Sequence, residues 1–362
     1  MRLVFHHPLP IVAGATAASG IRPLRMIEAF RSLGFEVDVV AGYSSERARA
    51  IAVVDERLRQ GQRYDFAYAE SSTEPTLLTD RHHLPLHPWL DFGLFARLKA
   101  HRIPIGLFYR DVYWRFPGYG SHLPAWQRAG ARLCYRYDLW QYRRLVSRLY
   151  LPSLAMAKHV PWLDDDRVAA LPPGCVDTVP ARQPGSRLRL LYVGGFGEHY
   201  RMHALVRALE GLPEVELVVC TRAAEWQAVQ REYPLPAAGN VRVVHRSGEQ
   251  LVELFEHADI GVVCVEPQPY WEFAAPLKLY EYLGAERPVI ASAGTLAAQF
   301  VADNGIGWSV PYDAAQIAGL LGRLATDRAS LDDKIRAARR LRQQHTWQAR
   351  ARQVAADLAG SP

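Results

Sequence analysis

The chain alternates between short apolar runs and longer segments in which apolar positions recur at helical spacing. In the first half, the runs RLVFHH, FEVDVVAG, YDFAYAE and IPIGLFY predict buried strands. Between the first two, PLRMIEAFRSL predicts a helix that starts at Pro23 and stops at Gly34, because proline suits a first helical turn and glycine the position just past the end. Strands that alternate with helices predict a parallel sheet with helices on both faces.

The second half repeats this alternation after a proline-rich stretch, residues 151–185, which predicts a connection between domains. Its strands are predicted at LRLLYV, ELVVC, VRVVH, IGVVCVEP and RPVIAS, and the chain ends in a helical pattern broken near His345 and Thr346. We therefore predict an α/β protein of two Rossmann-like domains. These are an N-terminal domain of residues 1–165, a C-terminal domain of residues 166–345, and a terminal helix, 346–362, that packs back on the first.

Composition narrows the class of protein. The 362 residues, 49% of them hydrophobic, suffice for two domains with their own cores. No apolar run is long enough for a membrane-spanning helix, and the first residues read as a strand rather than as the apolar core of a signal peptide. The four cysteines are far apart in sequence, which fits a reducing compartment. We expect a cytoplasmic protein.

The net charge of +6 is concentrated in the first half of the chain. Residues 1–180 hold 23 basic and 17 acidic residues, whereas the remainder holds 20 of each. Within residues 126–150, two adjacent helical faces differ in character: an aromatic one with Trp126, Leu133, Tyr137 and Trp140, and a basic one with Arg128, Arg132, Arg136 and Arg143. This pattern fits peripheral attachment to the anionic inner membrane leaflet. It also fits a core helix with an exposed basic face.

The segment PLKLYEYLG places two charges, Lys278 and Glu281, near the start of an otherwise apolar helix. A cation there opposes the helix dipole, at a cost of about 0.3–1 kcal/mol. An anion bound to the N–H groups of that helix end would remove the conflict. Glu281 lies one turn on along the same face, and its carboxylate can accept hydrogen bonds from a vicinal diol. The pair therefore fits the phosphate and ribose of a nucleotide, or a simple ion pair on the helix surface.

The stretch PLKLYEYLGAERPVIAS resembles the nucleotide-sugar motif of glycosyltransferase family 4 and its relatives, which have the GT-B fold of two Rossmann-like domains facing across a cleft. Other segments resemble the same family in order: YVGGFGEHYRMHALVRAL its glycine-rich turn, SGEQLVELFEHADIGVVCVEP the elements before the motif, and HTWQARARQVAADL its terminal helix. The resemblance covers nearly the whole chain. It implies that Lys278 meets the donor diphosphate and Glu281 the ribose, with Gly194 and Gly195 in the turn.

Two departures from the family pattern affect the rest of the donor site. The family often has a glutamate where this chain has Phe273, so either Glu272 or the backbone N–H groups of Phe273 and Ala274 would hold the sugar. The basic residues that often follow the glycine-rich turn are also missing. Arg201 becomes the candidate diphosphate ligand in their place, and Arg222 is a further candidate that equally fits an exposed loop arginine.

Candidate acceptor residues lie where strands of the first half end. Asp111 follows IGLFYR and is the leading candidate for a base or an acceptor-orienting residue, although Arg110 could pair with it instead. Glu70 ends YDFAYAE and is a second candidate. In SGIRP, Gly20 predicts a turn that approaches a ligand closely, and Arg22 could reach the diphosphate. Lesser candidates at these strand and helix ends are His6, His7 and Asp91.

The resemblance implies a glycosyltransferase of hexosyltransferase type. It would move a sugar from a UDP- or GDP-sugar to a hydroxyl of a lipid-linked saccharide or other glycan precursor at the inner membrane face, with retention and without a metal. We expect no tightly bound cofactor and no nucleic-acid partner, since no metal-ligand set or nucleic-acid motif is present. Two other functions stay open: a nucleotide-sugar 2-epimerase-like enzyme, and a non-catalytic polyanion- or membrane-binding protein on a GT-B scaffold.

Overall fold

The computed structural model describes residues 1–15, 18–121, 123–183, 185–197 and 199–360. The chain divides into two compact units. The first runs from Met1 to Pro172 and includes the chain from Trp347 onward, and the second is Pro173–Thr346. The first unit therefore continues past residue 165, where the sequence suggested that it would end.

The first unit is built on a parallel sheet. Its strands are β1 (Arg2–His7), β2 (Glu36–Ala41), β3 (Phe66–Glu70), β4 (Ile105–Phe108), β5 (Arg148–Leu151) and β6 (Val168–Ala170), in the spatial order β2-β1-β3-β4-β5-β6. Leu3 pairs with Val37 on one side and with Phe66 on the other. β3 is buried along its whole length, as expected for a central strand covered on both faces. The carboxyl ends of these strands lie along one edge of the sheet.

Helices α1 (Ala18–Ser32), α2 (Ser44–Arg59), α3 (Leu90–Ala100) and α4 (Ala125–Leu145) belong to the same unit. Pro23 lies inside α1 rather than at its start. The predicted turn at residues 19–23 is therefore wrong, because these residues are helical. A Cβ on Gly20 would lie 2.7 Å from the Cβ of Ala15, so this glycine makes room for the chain's own preceding loop.

The second unit repeats the architecture. Its strands are β7 (Leu188–Val193), β8 (Val215–Cys220), β9 (Val241–Val244), β10 (Ile260–Val263), β11 (Val289–Ser292) and β12 (Gly307–Val310), in the spatial order β12-β11-β10-β7-β8-β9. All neighbouring pairs are parallel. Consecutive residues of β7 point to opposite faces: Leu190 packs in one apolar core and Leu191 in the other. The sheet is therefore covered on both faces.

The helices of the second unit are α5 (His203–Ala208), α6 (Ala223–Val229), α7 (Gln250–His257), α8 (Leu277–Gly284), α9 (Leu296–Asp303), α10 (Ala314–Thr326) and α11 (Ala329–Arg342). A short 3-10 turn, Gln343–His345, follows α11 and interrupts the helical pattern near the predicted break. Helix α12 (Trp347–Ala359) then packs against α1, β3 and β4. Residues 361–362 of the predicted terminal helix lie outside the described residues.

Three strands, β5, β6 and β12, were not predicted, and each has four residues or fewer. β5 begins at Arg148, inside the stretch interpreted as one helix through residue 150, whereas α4 ends at Leu145. β6 lies within the proline-rich stretch and pairs with β5, so that this part of the chain belongs to the first sheet.

Among the described helices, none combines the length and apolar character needed to cross a lipid bilayer.

Candidate functional site

Helix α8 carries the two charges that the sequence singled out. It begins at Leu277 directly after Pro276, so Lys278 is its second residue. Lys278 is buried, with 7% of its surface exposed, and Glu281 one turn later is half-buried. This burial rules out the alternative of a simple surface ion pair for Lys278.

The Lys278 ammonium lies against aromatic side chains of the second unit. Its Nζ donates a hydrogen bond to the Tyr192 hydroxyl at 2.7 Å, and it lies 4.1 Å from the ring centre of Tyr192 and 4.6 Å from that of Tyr200. Burial lowers the pKa of Lys278 to about 7, and the carboxylates of Glu281 and Glu225 oppose this only in part. An anion in contact with this buried cation would be stabilised strongly.

The glycine-rich turn meets Lys278 at Gly194. A Cβ on Gly194 would lie 2.3 Å from the lysine Nζ, so no larger residue fits without displacing the ammonium. The Tyr192 hydroxyl also donates to the carbonyl of Gly195 at 2.6 Å, and it thereby ties the turn to the lysine. Sequence reasoning missed Tyr192, although an aromatic residue at a strand end just before a glycine turn was a usable signal.

The segment before α8 determines which groups could hold a sugar. Phe273 is 2% exposed and follows a short 3-10 turn, Pro269–Glu272, where its ring packs against Tyr270. The backbone N–H groups of Phe273 and Ala274 both donate to the carbonyl of Tyr270. These two N–H groups are therefore engaged within the turn, contrary to the expectation that they hold the sugar. Glu272 is exposed and stays the candidate at this position.

Arg201 and Arg222, the other candidate diphosphate ligands, take part in ion pairs at the surface. Arg201 lies 3.6 Å from Glu266, and roughly half of each side chain is exposed. Arg222 pairs with Glu225, whose Oε2 also accepts the Phe196 N–H at 3.1 Å. A diphosphate would have to compete with these carboxylates for either arginine.

In the first unit, Glu70 holds two arginines at the carboxyl end of β3. Its Oε1 accepts hydrogen bonds from Arg22 Nε at 3.1 Å and from the Tyr68 hydroxyl at 2.9 Å, and its Oε2 accepts from Arg110 Nη2 at 3.1 Å. The side chain is fully buried. Because both oxygens accept hydrogen bonds, Glu70 fits a structural role in this cluster better than the second candidate base that the sequence suggested.

Arg22 is fixed by the same cluster. Its guanidinium stacks 3.6 Å above the Phe108 ring, lies 5.7 Å from the Trp347 ring and is 3% exposed. Its Nη1 has no hydrogen-bond partner among the described residues. The side chain links α1 to α12 and to the end of β4. Arg22 therefore lies in a buried cluster and not in the ligand-facing turn that the sequence predicted.

Asp111 is half-buried just beyond β4. Its Oδ1 accepts the backbone N–H of Tyr113 at 2.7 Å, which fixes the carboxylate at the start of a 3-10 turn. The neighbouring Arg110 donates to Glu70 and to the Ser71 carbonyl. Asp111 therefore stays the candidate acceptor-orienting residue of this unit.

The two histidines at the end of β1 are core groups. His6 Nε2 lies 2.7 Å from Asp91 Oδ1, and Arg47 donates to the other Asp91 oxygen at 3.1 Å. Burial by itself would raise the pKa of Asp91, but His6 and Arg47 outweigh it and hold that pKa below its usual value. Burial, reinforced by Arg110, lowers the pKa of His7 to about 3, so His7 is neutral near pH 7.

Helix α4 turns its aromatic face outward. Trp126, Leu133 and Trp140 are 73%, 68% and 45% exposed, whereas Tyr135, Leu139 and Tyr142 are buried against the unit. The Arg144 guanidinium lies 4.4 Å from the Trp140 ring. The helix is thus part of the core on one side and presents apolar and basic groups to solvent on the other.

The comparisons with known proteins agree with this architecture. Residues 187–327, within the second unit, match the family model described as Glycosyl transferases group 1. No curated protein sequence matches the chain. The description of the matching family agrees with the resemblance noted from the motif around Lys278.

Solved structures are similar in fold over the whole chain. HepE from Anabaena, in complex with UDP, has a TM-score of 0.67 at 14% identity over 100% of both chains. Sucrose-phosphate synthase from Thermosynechococcus elongatus has a TM-score of 0.67 at 16% identity over 98% of this chain and 97% of its own. WaaG, a glycosyltransferase involved in lipopolysaccharide biosynthesis, has a TM-score of 0.58 at 17% identity over 99% and 100%. The predicted two-domain α/β fold is confirmed.

Proposed function

We propose that this chain, whose second unit carries a group 1 glycosyl transferase domain, transfers a hexosyl group from a nucleotide-diphosphate sugar to an acceptor hydroxyl. The observation that carries the proposal is the buried Lys278 ammonium, held against the glycine-rich turn with a neutral tyrosine hydroxyl as its hydrogen-bond partner. The donor diphosphate would bring an anion into direct contact with this cation. Glu281, one turn on, would accept the ribose hydroxyls.

The same groups would assist the chemistry. The bond between the anomeric carbon and the diphosphate oxygen breaks while the acceptor oxygen bonds to that carbon, and negative charge builds up on the leaving diphosphate. Lys278 stabilises this charge. In the retaining, metal-independent reaction that we propose, the leaving phosphate takes the acceptor proton and Asp111 orients the acceptor. Within the described residues, no cluster of three or more metal-binding side chains is found.

We assign the acceptor to the first unit and to a lipid-linked saccharide or glycan precursor at an anionic membrane. The outward face of α4 supports this assignment, since exposed tryptophans beside arginines suit a membrane surface. Flotation with anionic liposomes at low salt tests it. Recovery of the protein with the liposomes is expected, and its absence would remove the membrane part of the proposal.

A thermal-shift series with UDP, GDP, ADP and CMP tests donor recognition. UDP or GDP should raise the unfolding temperature, and Lys278→Ala and Glu281→Gln should each lose this shift while the unliganded protein still folds. Removing the buried charge and its contacts should weaken nucleotide binding about 10-fold or more. Lys334→Ala, a half-buried lysine on α11, is the matched control and should keep the full shift. Unchanged nucleotide affinity in both site variants would refute the donor site.

Product analysis separates transfer from the other two functions. A transferase should release nucleoside diphosphate from the donor faster when an acceptor is added, with and without a metal chelator. A 2-epimerase-like enzyme would change or release the sugar without any acceptor. A non-catalytic protein would bind the nucleotide or the membrane and leave the donor intact.

A further inference from the structure

The loop between residues 81 and 89 is exposed and carries three large apolar side chains among its polar ones. It reads RHHLPLHPW, and Leu84, Leu86 and Trp89 are 53%, 59% and 70% exposed. The neighbouring polar side chains, from Arg81 to His87, are exposed as well. Isolated exposed apolar residues are ordinary, but three within nine positions form a patch that needs a partner.

This loop adjoins the outward face of α4. The Tyr137 hydroxyl donates to the carbonyl of Pro88 at 3.2 Å, and the Tyr137 ring lies edge-on to Phe92 at 5.4 Å. Leu133 and Trp140 lie one helical turn to either side of Tyr137 on the same face of α4. The exposed residues of the loop and of the helix are therefore parts of one surface of the first unit.

The charges around this surface are mostly positive. Residues 81–89 contain one arginine, three histidines and no acidic residue. On α4, Arg136 and Arg144 are exposed, and the one acidic residue of the helix, Asp138, is buried. Two histidines of the loop have acidic neighbours, since His82 lies 4.0 Å from Asp80 and His83 lies 3.4 Å from Glu74.

We propose that residues 81–89 are a membrane anchor, in which Leu84, Leu86 and Trp89 insert into the acyl region of an anionic bilayer while Arg136 and Arg144 on α4 bind lipid headgroups. The inference rests on the proposed membrane-side acceptor. It adds that the loop and the arginines contribute different forces to membrane attachment. Attraction between headgroups and arginines falls as salt screens it, whereas burial of apolar side chains does not. One weak signal rarely holds a protein on a membrane, so the two together give stable attachment.

Two matched variants test these two contributions. Leu84→Ser/Leu86→Ser/Trp89→Ser removes the anchor, and Arg136→Gln/Arg144→Gln removes two headgroup contacts. Vesicles of phosphatidylcholine with phosphatidylglycerol are the probe, and Leu235→Ser/Val252→Ser, which changes two exposed residues of the second unit, is the control. Because all these positions are at the surface, each variant should keep the wild-type unfolding temperature and its shift with UDP.

The anchor variant should bind anionic vesicles at low salt and lose about 10-fold or more of its affinity at about 0.15 M salt. The arginine variant should bind more weakly at low salt, and the control should bind as the wild type does. Acyl-chain-brominated lipids should quench tryptophan fluorescence of the wild type, and Trp89→Phe should lose most of that quenching.

Equal salt-resistant binding of the wild type and the anchor variant would overturn the inference, as would quenching that survives in Trp89→Phe. Binding of the wild type to no vesicle at all would also overturn it. Concentration-dependent dimerisation that the anchor variant abolishes would instead assign the surface to a second copy of the chain. A chain that anchors as expected but shows no shift with UDP would refute the proposed transferase and leave the anchor intact.

Discussion

The position of Lys278 could be predicted from the sequence, but its contacts could not. Its place near the start of α8 was predictable from Pro276 and the apolar spacing that follows. Its burial and its bond to Tyr192, 86 residues away in the chain, were not. The sequence left open a bound anion or a surface ion pair at this helix start, and the structure shows that the ammonium is buried and donates to a neutral partner.

A pKa of about 7 for Lys278 predicts that the proposed nucleotide binding depends on pH. Its charged form is present below that pKa and is lost as the pH rises through it, and a bound diphosphate would raise the pKa again. The association constant for UDP should therefore fall between pH 7 and 9, by up to about 10-fold per pH unit. Isothermal titration across this range measures it, with Lys278→Ala as the control that should lose the dependence. A flat profile in the wild type would contradict the prediction.

Tyr192→Phe tests the hydroxyl that joins the lysine to the turn. The ring and its contact with the ammonium stay, but the hydrogen bonds to Lys278 Nζ and to the Gly195 carbonyl are lost. UDP affinity should fall about 10-fold, and its pH profile should move to lower pH because the ammonium loses a hydrogen bond. Tyr64→Phe, which removes a hydroxyl that donates to Asp38 in the first unit, should leave both unchanged. Wild-type affinity and profile in Tyr192→Phe would show that the hydroxyl does not position the lysine.

Among the helices, α4 combines two roles that its sequence left open. Its outward face carries the aromatic and basic residues, and its inward face carries Asp138, which is buried. Asp138 Oδ2 accepts the backbone N–H of Thr76 at 2.7 Å, whereas Oδ1 has no hydrogen-bond partner among the described residues. Burial raises the pKa of Asp138 to about 7. Sequence spacing predicted the two faces, but not which buried position would hold a carboxyl group.

Asp138→Asn should stabilise the protein at alkaline pH. The pKa of Asp138 is higher in the folded than in the unfolded chain. The free energy of unfolding therefore has its full value at acid pH, where the carboxyl group is neutral, and declines as the pH rises from about 4 to about 7. Asparagine can keep the bond to Thr76 without a buried charge. The unfolding temperature should rise by about 2–5 °C at pH 8 and change little at pH 4.5. Thermal unfolding at both pH values measures this, and an equal shift at both would contradict it.

Short strands at the edge of a sheet could not be predicted from the hydrophobic pattern of the sequence. β6 has only three residues, all of intermediate exposure, within a proline-rich stretch, so neither periodicity nor composition distinguished it from a linker. It forms a strand because its backbone pairs with that of β5: Leu149 pairs with Val168 and Leu151 with Ala170. The start of α1 was misplaced because Pro23, a residue typical of a first helical turn, lies inside the helix, where it lacks the N–H for a backbone hydrogen bond.

At the scale of the whole chain, the first unit depends on the last helix. α12 packs against α1, β3 and β4, and Leu358 contacts Gly106 so closely that a Cβ there would lie 2.8 Å from the leucine. Trp347, the first residue of α12, faces the guanidinium of Arg22. The ends of the chain therefore contribute to one core, although more than 300 residues separate Arg22 from Trp347 in the sequence.

Truncation after Thr346 should damage the first unit and spare nucleotide recognition. Removing α12 exposes the apolar surface of the first sheet and leaves Arg22 without one of its aromatic neighbours. Hydrogen exchange should become fast in β3 and β4, while slow exchange in α8 and its further slowing by UDP persist. The full-length protein is the reference. Retained protection of β3 and β4 in the truncated chain would show that the first unit folds without α12.

The sequence by itself determined the strands and helices with strong periodicity, the two-domain α/β class and the paired charges of α8, because each depends on residues close together in the chain. Only the tertiary structure decided which candidate residues are held by other side chains in a buried cluster and which stay candidates for the site. Glu70 and Arg22 became partners across 48 residues, and Lys278 acquired Tyr192 across 86. A side chain's burial and hydrogen-bond partners are set by parts of the chain that meet only on folding, and local pattern carries no information about them.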